Sequence, residues 1–285
     1  MGRQPWRIDP GLARDLGAAL EWTGDDGLDA LVERVPERVP CGSTAKLAAM
    51  SVGEVPPGAD VEDLARRVVE HRTSLASSSP GGGPTPSWSC WVTATLTAAL
   101  AADAELGAVR VAAIRRIDDR APVADLHAAV VVGDGDGAWI GDPYFGVATR
   151  LPAEPGEASS AATATGHVTV RRDEGERGGW TLDLGLVTWD GELRYRPLAP
   201  DLDRGDVRAV CAISVTYTGV PHRPYARLHV DGEVVDVRED ERGIALVTRR
   251  SAPDTIATTE HATWAEAADD FAARTGVRVD RGAGA

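Results

Sequence analysis

Cysteine is scarce. Cys41, Cys90 and Cys211 are the three in the chain, odd in number and far apart. This argues against a disulfide framework, and the lack of any CxxC or HxxxH spacing argues against the common zinc sites. The expected compartment is the reducing cytoplasm. No apolar run approaches a membrane span, and Met1-Gly2-Arg3-Gln4-Pro5-Trp6 has no signal-peptide core. Positive charge is in the minority, with 30 Lys and Arg against 44 Asp and Glu and a net charge of -14. That balance speaks against a general binder of nucleic acid or anionic membranes, while leaving room for a local basic pocket. What remains is 43% hydrophobic and 26% charged over 285 residues, an ordinary globular composition. It suffices for one large domain or two to three small ones.

The first hundred or so residues read as mainly helical. Leu12, Leu16, Ala19 and Leu20, then Leu28, Leu31 and Val32, recur at helical spacing, with Pro36 and Pro40 closing the segment. Thr44 to Met50 is a short helix or strand, and Val61 to Ser74 is a clear amphipathic helix. After a Ser/Gly/Pro-rich loop ending at Pro86, Val92 to Ala102 is helical again. The pattern then turns to β. Strands are expected at Val109–Ile117, Leu126–Val132, Ala138–Phe145, His167–Arg171, Trp180–Val187, Leu193–Pro197, Val207–Thr218, Ala226–Val230, Glu233–Val237 and Ile244–Thr248. Turn signals between them fit a small antiparallel barrel or sandwich. Pro152 to Thr165 reads as a mobile loop or domain junction, and the chain closes with a helix, Trp264 to Thr275, and a short strand, Val277 to Val279. The order is α+β: helices, a sheet, a closing helix.

Cys90 sits where the loop becomes a helix. First-turn N–H groups have no intrahelical partner and the helix dipole favours an anion, so such a position makes a nucleophile of a thiol. A nucleophile needs a base, and the base needs an orienting acid. Gly133-Asp134-Gly135-Asp136-Gly137 separates two β-runs that carry His127 and Asp142. A two-residue turn at Asp134-Gly135 sets His127 directly opposite Asp142. A turn at Gly135-Asp136 shifts the register by two and leaves them diagonal, still within reach. Cys90, His127 and Asp142 are thus a candidate catalytic triad.

The order of these residues resembles the arylamine N-acetyltransferases: a helix-start Cys, a strand His 37 residues on and an Asp 15 further. Trp6-Arg7-Ile8 is similar to that family's N-terminal segment, and Val39-Pro40-Cys41-Gly42-Ser43 to its "VPFEN". Gly141-Asp142-Pro143-Tyr144-Phe145-Gly146 is similar to its "VDVGFG", and Phe271 to Val279 to its terminal "FGI-x-L". The collinearity of these segments carries the resemblance.

The resemblance implies a helical bundle over residues 1–105, an antiparallel β-barrel over 106–205 and a C-terminal α/β lid over 206–285, around a cysteine-protease-like triad core. It implies ping-pong acyl transfer from acetyl-CoA or another acyl thioester, CoA-borne or carrier-borne, to a small-molecule amine. No metal, nucleic acid or membrane is expected to take part. The chain departs from the family's Arg-Gly-Gly-x-Cys, having Pro86-Ser87-Trp88-Ser89-Cys90 instead. Asp142-Pro143-Tyr144 likewise replaces Asp-Val-Gly. Larger acyl donors, a natural-product amide synthase, a transglutaminase-like hydrolase and a non-catalytic binding relative therefore stay open. Trp88, Trp91, Tyr144 and Phe145 are candidate substrate-binding residues, with core packing the alternative for each. Cys41 and Cys211 read as structural and His222 as a surface loop. The pairs Arg115-Arg116 and Arg249-Arg250 read as solvated strand ends.

Overall fold

The computed structural model describes residues 6–51, 60–76, 86–117, 126–133, 137–163, 166–173, 180–186, 192–209, 223–251 and 254–282. Five helices come first: α1 (Pro10–Ala19), α2 (Gly27–Arg38), α3 (Thr44–Ser51), α4 (Val61–Ala76) and α5 (Cys90–Asp103). Asp9 caps α1 by accepting the Leu12 N–H at 3.0 Å. Pro36 does not end α2, which runs on to Arg38. Its ring sits in the last turn of the helix and is buried there.

Helix α5 is the axis of this half. Trp91 to Ala102 are all buried, so no polar stripe is present and the helix is enclosed on every side. Its three threonines tolerate this because each hydroxyl bonds back to its own helix: Thr93 to the Cys90 carbonyl (3.0 Å), Thr95 to Trp91 (2.7 Å) and Thr97 to Thr93 (2.9 Å). Trp6, Leu16, Leu31, Leu64, Leu96 and Leu100 fill the surrounding core.

An eight-stranded antiparallel sheet follows, in the order β5-β4-β3-β2-β9-β8-β7-β6. Its strands are β2 (Ala108–Arg116), β3 (Leu126–Gly133), β4 (Ala138–Asp142), β5 (Val147–Leu151), β6 (Ala158–Thr163), β7 (Gly166–Arg172), β8 (Trp180–Leu186) and β9 (Glu192–Leu202). The edges β5 and β6 approach each other, with the Thr149 and Ser159 hydroxyls 3.0 Å apart, so the sheet curls into a nearly closed barrel. Val168, Val170, Leu182, Ile140 and Ile114 are buried within it.

Several expectations are corrected here. Of the two registers left open for the hairpin, it takes the diagonal one. Val130 faces Gly141 and Val132 faces Trp139, the register two residues away, with turn residues 134–136 outside the described set. Strand β4 stops at Asp142, because Asp142 to Gly146 turn over on themselves before β5. The segment taken for a mobile loop or junction contains β6, paired along its length with β7. Ala and Ser alternating between half-exposed and exposed positions over 158–162 leave this edge strand without an apolar signature. Residues 204–209 are helical rather than the start of a strand, since Asp203 accepts the N–H of Asp206 at 2.8 Å; 210–218 lie outside the described residues.

The second sheet orders β1-β10-β11-β12-β13, from β1 (Cys41–Gly42), β10 (Tyr225–Val230), β11 (Glu233–Asp240), β12 (Gly243–Ser251) and β13 (Asp254–His261). Helix α6 (Trp264–Thr275) covers one face. A Thr263/Glu266 capping box starts it and left-handed Gly276 ends it. The expected strand after it is reduced to a single bridging residue, Val279. Strand β10 alternates strictly. Ala226, Leu228 and Val230 face α6, while Tyr225, Arg227 and His229 face the other way, toward the barrel. Because β1 belongs to the N-terminal half, β10 stitches the two halves together. Among the described residues no helix is long and apolar enough to cross a membrane.

Candidate active site

Cys90 is the first residue of α5. Ser89 precedes it in extended backbone and makes no side-chain capping bond. The stretch leading in is tied down from two sides. Trp88 donates its N–H to the Pro40 carbonyl and accepts that of Gly42, both at 2.7 Å. Ser87 donates its N–H to Thr44 Oγ1 (2.8 Å), accepts the Thr44 N–H on Oγ (3.0 Å) and lies 2.9 Å from the Tyr225 carbonyl. A Cβ at Gly42 would fall 2.1 Å from that carbonyl oxygen and 2.4 Å from Ser87 Oγ. Only glycine lets the three segments meet this closely.

His127 near the start of β3 and Asp142 at the end of β4 are both buried, 6% and 1% exposed. Their side chains bridge the diagonal register, with Nε2 2.7 Å from Oδ2. The other carboxylate oxygen accepts the N–H groups of Tyr144 (3.1 Å) and Phe145 (3.3 Å). Asp142 thus has every contact a buried carboxylate needs, and its turn is wrapped around it. With Nε2 committed to the carboxylate, Nδ1 is the ring nitrogen left for Cys90, whose thiol is within hydrogen-bonding reach of the imidazole. Burial alone would push the imidazole pKa down. The Asp142 charge, the Cys90 sulfur and the hydrogen bonds to both outweigh it and hold His127 well above its usual value. Cys90, His127 and Asp142 are therefore brought together as a partly exposed sulfur, an imidazole and a carboxylate.

The four aromatic candidates divide. Trp88 and Trp91, each 3% exposed, pack into the helical core. Tyr144 and Phe145 pack on His127, ring centroids 5.5 and 5.3 Å away, and Tyr195 closes a third side at 5.4 Å. Cys41 is fully buried with its sulfur 3.5 Å from the Val39 carbonyl, and burial drives its thiol pKa far up. It is an inert packing thiol. Cys211 and His222 lie outside the described residues. Arg249 is buried, correcting its reading as a solvated strand end, and Arg250 pairs with Glu233. Among the described residues no group of three or more His, Cys, Asp or Glu side chains could hold a metal ion.

Sequence reasoning missed the polar face of β10. Arg227 and Asp236 form a buried ion pair, Nε to Oδ1 2.6 Å, directly across β10 and β11. The guanidinium carbon stands 5.8 Å from the Tyr144 ring centroid and 5.4 Å from that of Phe145. The Tyr225 side chain faces the same neighbourhood as Cys90, Cys41 and Arg227. The signal was Tyr-Ala-Arg-Leu-His-Val, polar on one face and apolar on the other.

No protein-family model matches the sequence. No curated protein matches it significantly. Solved structures do match. The arylamine N-acetyltransferase of M. tuberculosis aligns over 94% of each chain with a TM-score of 0.65 and 20% identity. That of Nocardia farcinica covers 98% of this chain and 95% of its own, with a TM-score of 0.69 and 18% identity. That of Mycobacterium marinum, solved in complex with CoA, covers 92% and 91%, with a TM-score of 0.64 and 19% identity. The chain has the fold of the arylamine N-acetyltransferases.

Proposed function

We propose that the protein is an N-acyltransferase that carries an acyl group on Cys90 from a thioester to an amine. The observation that supports this most is the buried His127–Asp142 pair, 2.7 Å apart, with the Cys90 thiol in reach of the imidazole at the start of an enclosed helix. The structural neighbours are arylamine N-acetyltransferases, and the Mycobacterium marinum one is a complex with CoA. Both favour a CoA thioester as donor.

In the first half-reaction His127 takes the Cys90 proton and the thiolate attacks the thioester carbonyl. A C–S bond to Cys90 forms, the carrier's C–S bond breaks, and the carrier leaves as a thiol with the proton held by His127. In the second half-reaction an amine attacks the acyl-cysteine. His127 takes a proton from the amine, the amide forms, and Cys90 leaves as the thiol. Asp142 holds the imidazole orientation and balances its charge in both steps. The N–H of Cys90 at the helix start is the donor best positioned for the oxyanion.

The donor itself is the finer question. Tyr144 stands in the turn where the resembling family has glycine, and its ring is buried against His127. This favours a donor or acceptor fitted differently from acetyl-CoA and an arylamine. The test is a panel of acetyl-, butyryl- and longer acyl-CoA thioesters, followed by an arylamine and an alkylamine, read by intact mass. Acyl-enzyme formation that is discharged by an amine supports the proposal. Steady hydrolysis of amide probes with no acyl-enzyme from any thioester would move the reading to a cysteine hydrolase.

A further inference from the structure

The turn that carries Asp142 is not held by the barrel alone. Asp142 ends β4, and Pro143 to Gly146 form no ladder with either neighbouring strand. Yet this turn must fix two things at once: the N–H groups that hold Asp142 Oδ1, and the two rings packed on His127. The Tyr144 and Phe145 rings stand at 87° with centroids 5.0 Å apart, and the Arg227 guanidinium lies within 6 Å of both. At the far end of the turn, a Cβ on Gly146 would come 3.2 Å from His229 Nδ1, so β10 backs the turn along its length.

Arg227 is an unusual residue to find there. It is 5% exposed and Asp236 is fully buried, and the pair is reinforced by a second contact from the guanidinium at 3.4 Å. A buried ion pair is a poor source of net stability, since apolar residues of the same volume do as well or better. What a guanidinium adds is a flat cation with fixed direction, able to face aromatic rings while its edge is held by a carboxylate. Its charge is matched by Asp236, and its guanidinium carbon lies over both rings of the Asp142 turn.

We propose that Arg227, oriented by Asp236, is a positioning residue that clamps Tyr144 and Phe145 and through them keeps Asp142 and His127 aligned on Cys90. Arg227 touches neither the sulfur nor the substrate in this role. The C-terminal sheet thereby becomes a working part of the site. The inference rests on Cys90, His127 and Asp142 being the reacting groups.

The experiment measures iodoacetamide alkylation of Cys90, located by peptide mass, so no acyl donor need be known. Wild type is compared with Arg227→Met/Asp236→Leu, which removes both charges together, and with Arg227→Lys, which restores a cation. The downfield imidazole N–H resonance, assigned by its loss in Asp142→Asn, is recorded alongside. The double variant is expected to alkylate about 10- to 100-fold more slowly, the scale of a displaced catalytic group. It should shift or broaden the imidazole signal at a thermal midpoint close to wild type, and Arg227→Lys should recover part of the rate. Wild-type rate and signal in the double variant would overturn the proposal. If that variant does not fold, Arg227→Lys decides: a loss of rate with a shifted imidazole signal upholds the role, and an unchanged rate and signal refute it. A slow wild-type Cys90, no faster than a free thiol, would instead refute the triad on which the inference stands.

Discussion

Asp142 divides its two oxygens between a side chain and a turn: Oδ2 meets His127 Nε2 at 2.7 Å, and Oδ1 accepts the N–H groups of Tyr144 and Phe145. The same carboxylate therefore orients the imidazole and closes the loop beside it. Two substitutions separate these roles. Asp142→Asn keeps the shape and an acceptor for the turn but loses the charge that holds the imidazolium. Thiol acylation is expected to slow about a thousandfold or more with little loss of stability. Asp142→Ala also strands the buried Tyr144 N–H, while Phe145 keeps the Asp142 backbone carbonyl at 3.2 Å, and unfolding should be easier by about 1–3 kcal/mol. Single-turnover acylation and urea unfolding of the two variants check this. Equal stability of both would show that the turn does not depend on the carboxylate.

His127 and His229, both buried, should have opposite effects on stability against pH. His229 is lowered to about 3, by burial first and then by the Arg227 charge. It stays neutral in the fold, so its contribution is complete above the ordinary value near 6.5 and is lost as pH falls from there toward 3. His127 is raised, so its contribution is present below its unfolded value and is lost as pH rises through its folded one. His229→Gln is expected to flatten the fall in the urea midpoint between neutral pH and the unfolding limit in acid. An acid slope identical to wild type would contradict the placement of His229.

How much of this was legible in the sequence follows the range of the interactions. Helix α6 could be bounded at both ends because Thr263 and Glu266 act within its first turn and Gly276 within its last. Cys90 could be placed at a helix start, and His127 and Asp142 on one hairpin, for the same reason. The register was not legible between two alternatives, since it hangs on a run in which Asp134-Gly135 and Gly135-Asp136 are overlapping two-residue turns. Strand β6 escaped because its Ala and Ser residues alternate between half-exposed and exposed positions, with no buried apolar face. The Asp203/Asp206 contact that begins the helix at 204–209 was a readable signal and was outweighed by the β-branched residues after it. Arg227 and Asp236 lay beyond local reasoning, because nothing near them in sequence says that they face a turn some 80 residues earlier.

Gly42 and Ser87 bring the N-terminal half, the segment leading into Cys90 and β10 to one point. Gly42→Ala would drive a methyl group into the Tyr225 carbonyl, and a loss of about 3 kcal/mol is expected. Ser87→Ala leaves the buried Thr44 N–H without its acceptor, a loss of about 1–3 kcal/mol. Both should also slow Cys90 beyond their effect on stability, since Ser87 lies three residues before it. Guanidinium unfolding together with thiol alkylation rates reads both effects. A fully stable Gly42→Ala protein would contradict the close approach at this point.

In the proposed reaction Cys90 accepts an acyl group with the help of His127 and Asp142. Its most direct test is intact mass spectrometry of the protein mixed with a graded series of acyl-CoA thioesters, with Cys90→Ser and His127→Ala alongside. One acyl group per chain is expected, mapped to the Cys90 peptide, absent in Cys90→Ser and formed far more slowly in His127→Ala. No adduct from any thioester, or an adduct indifferent to both substitutions, would contradict it.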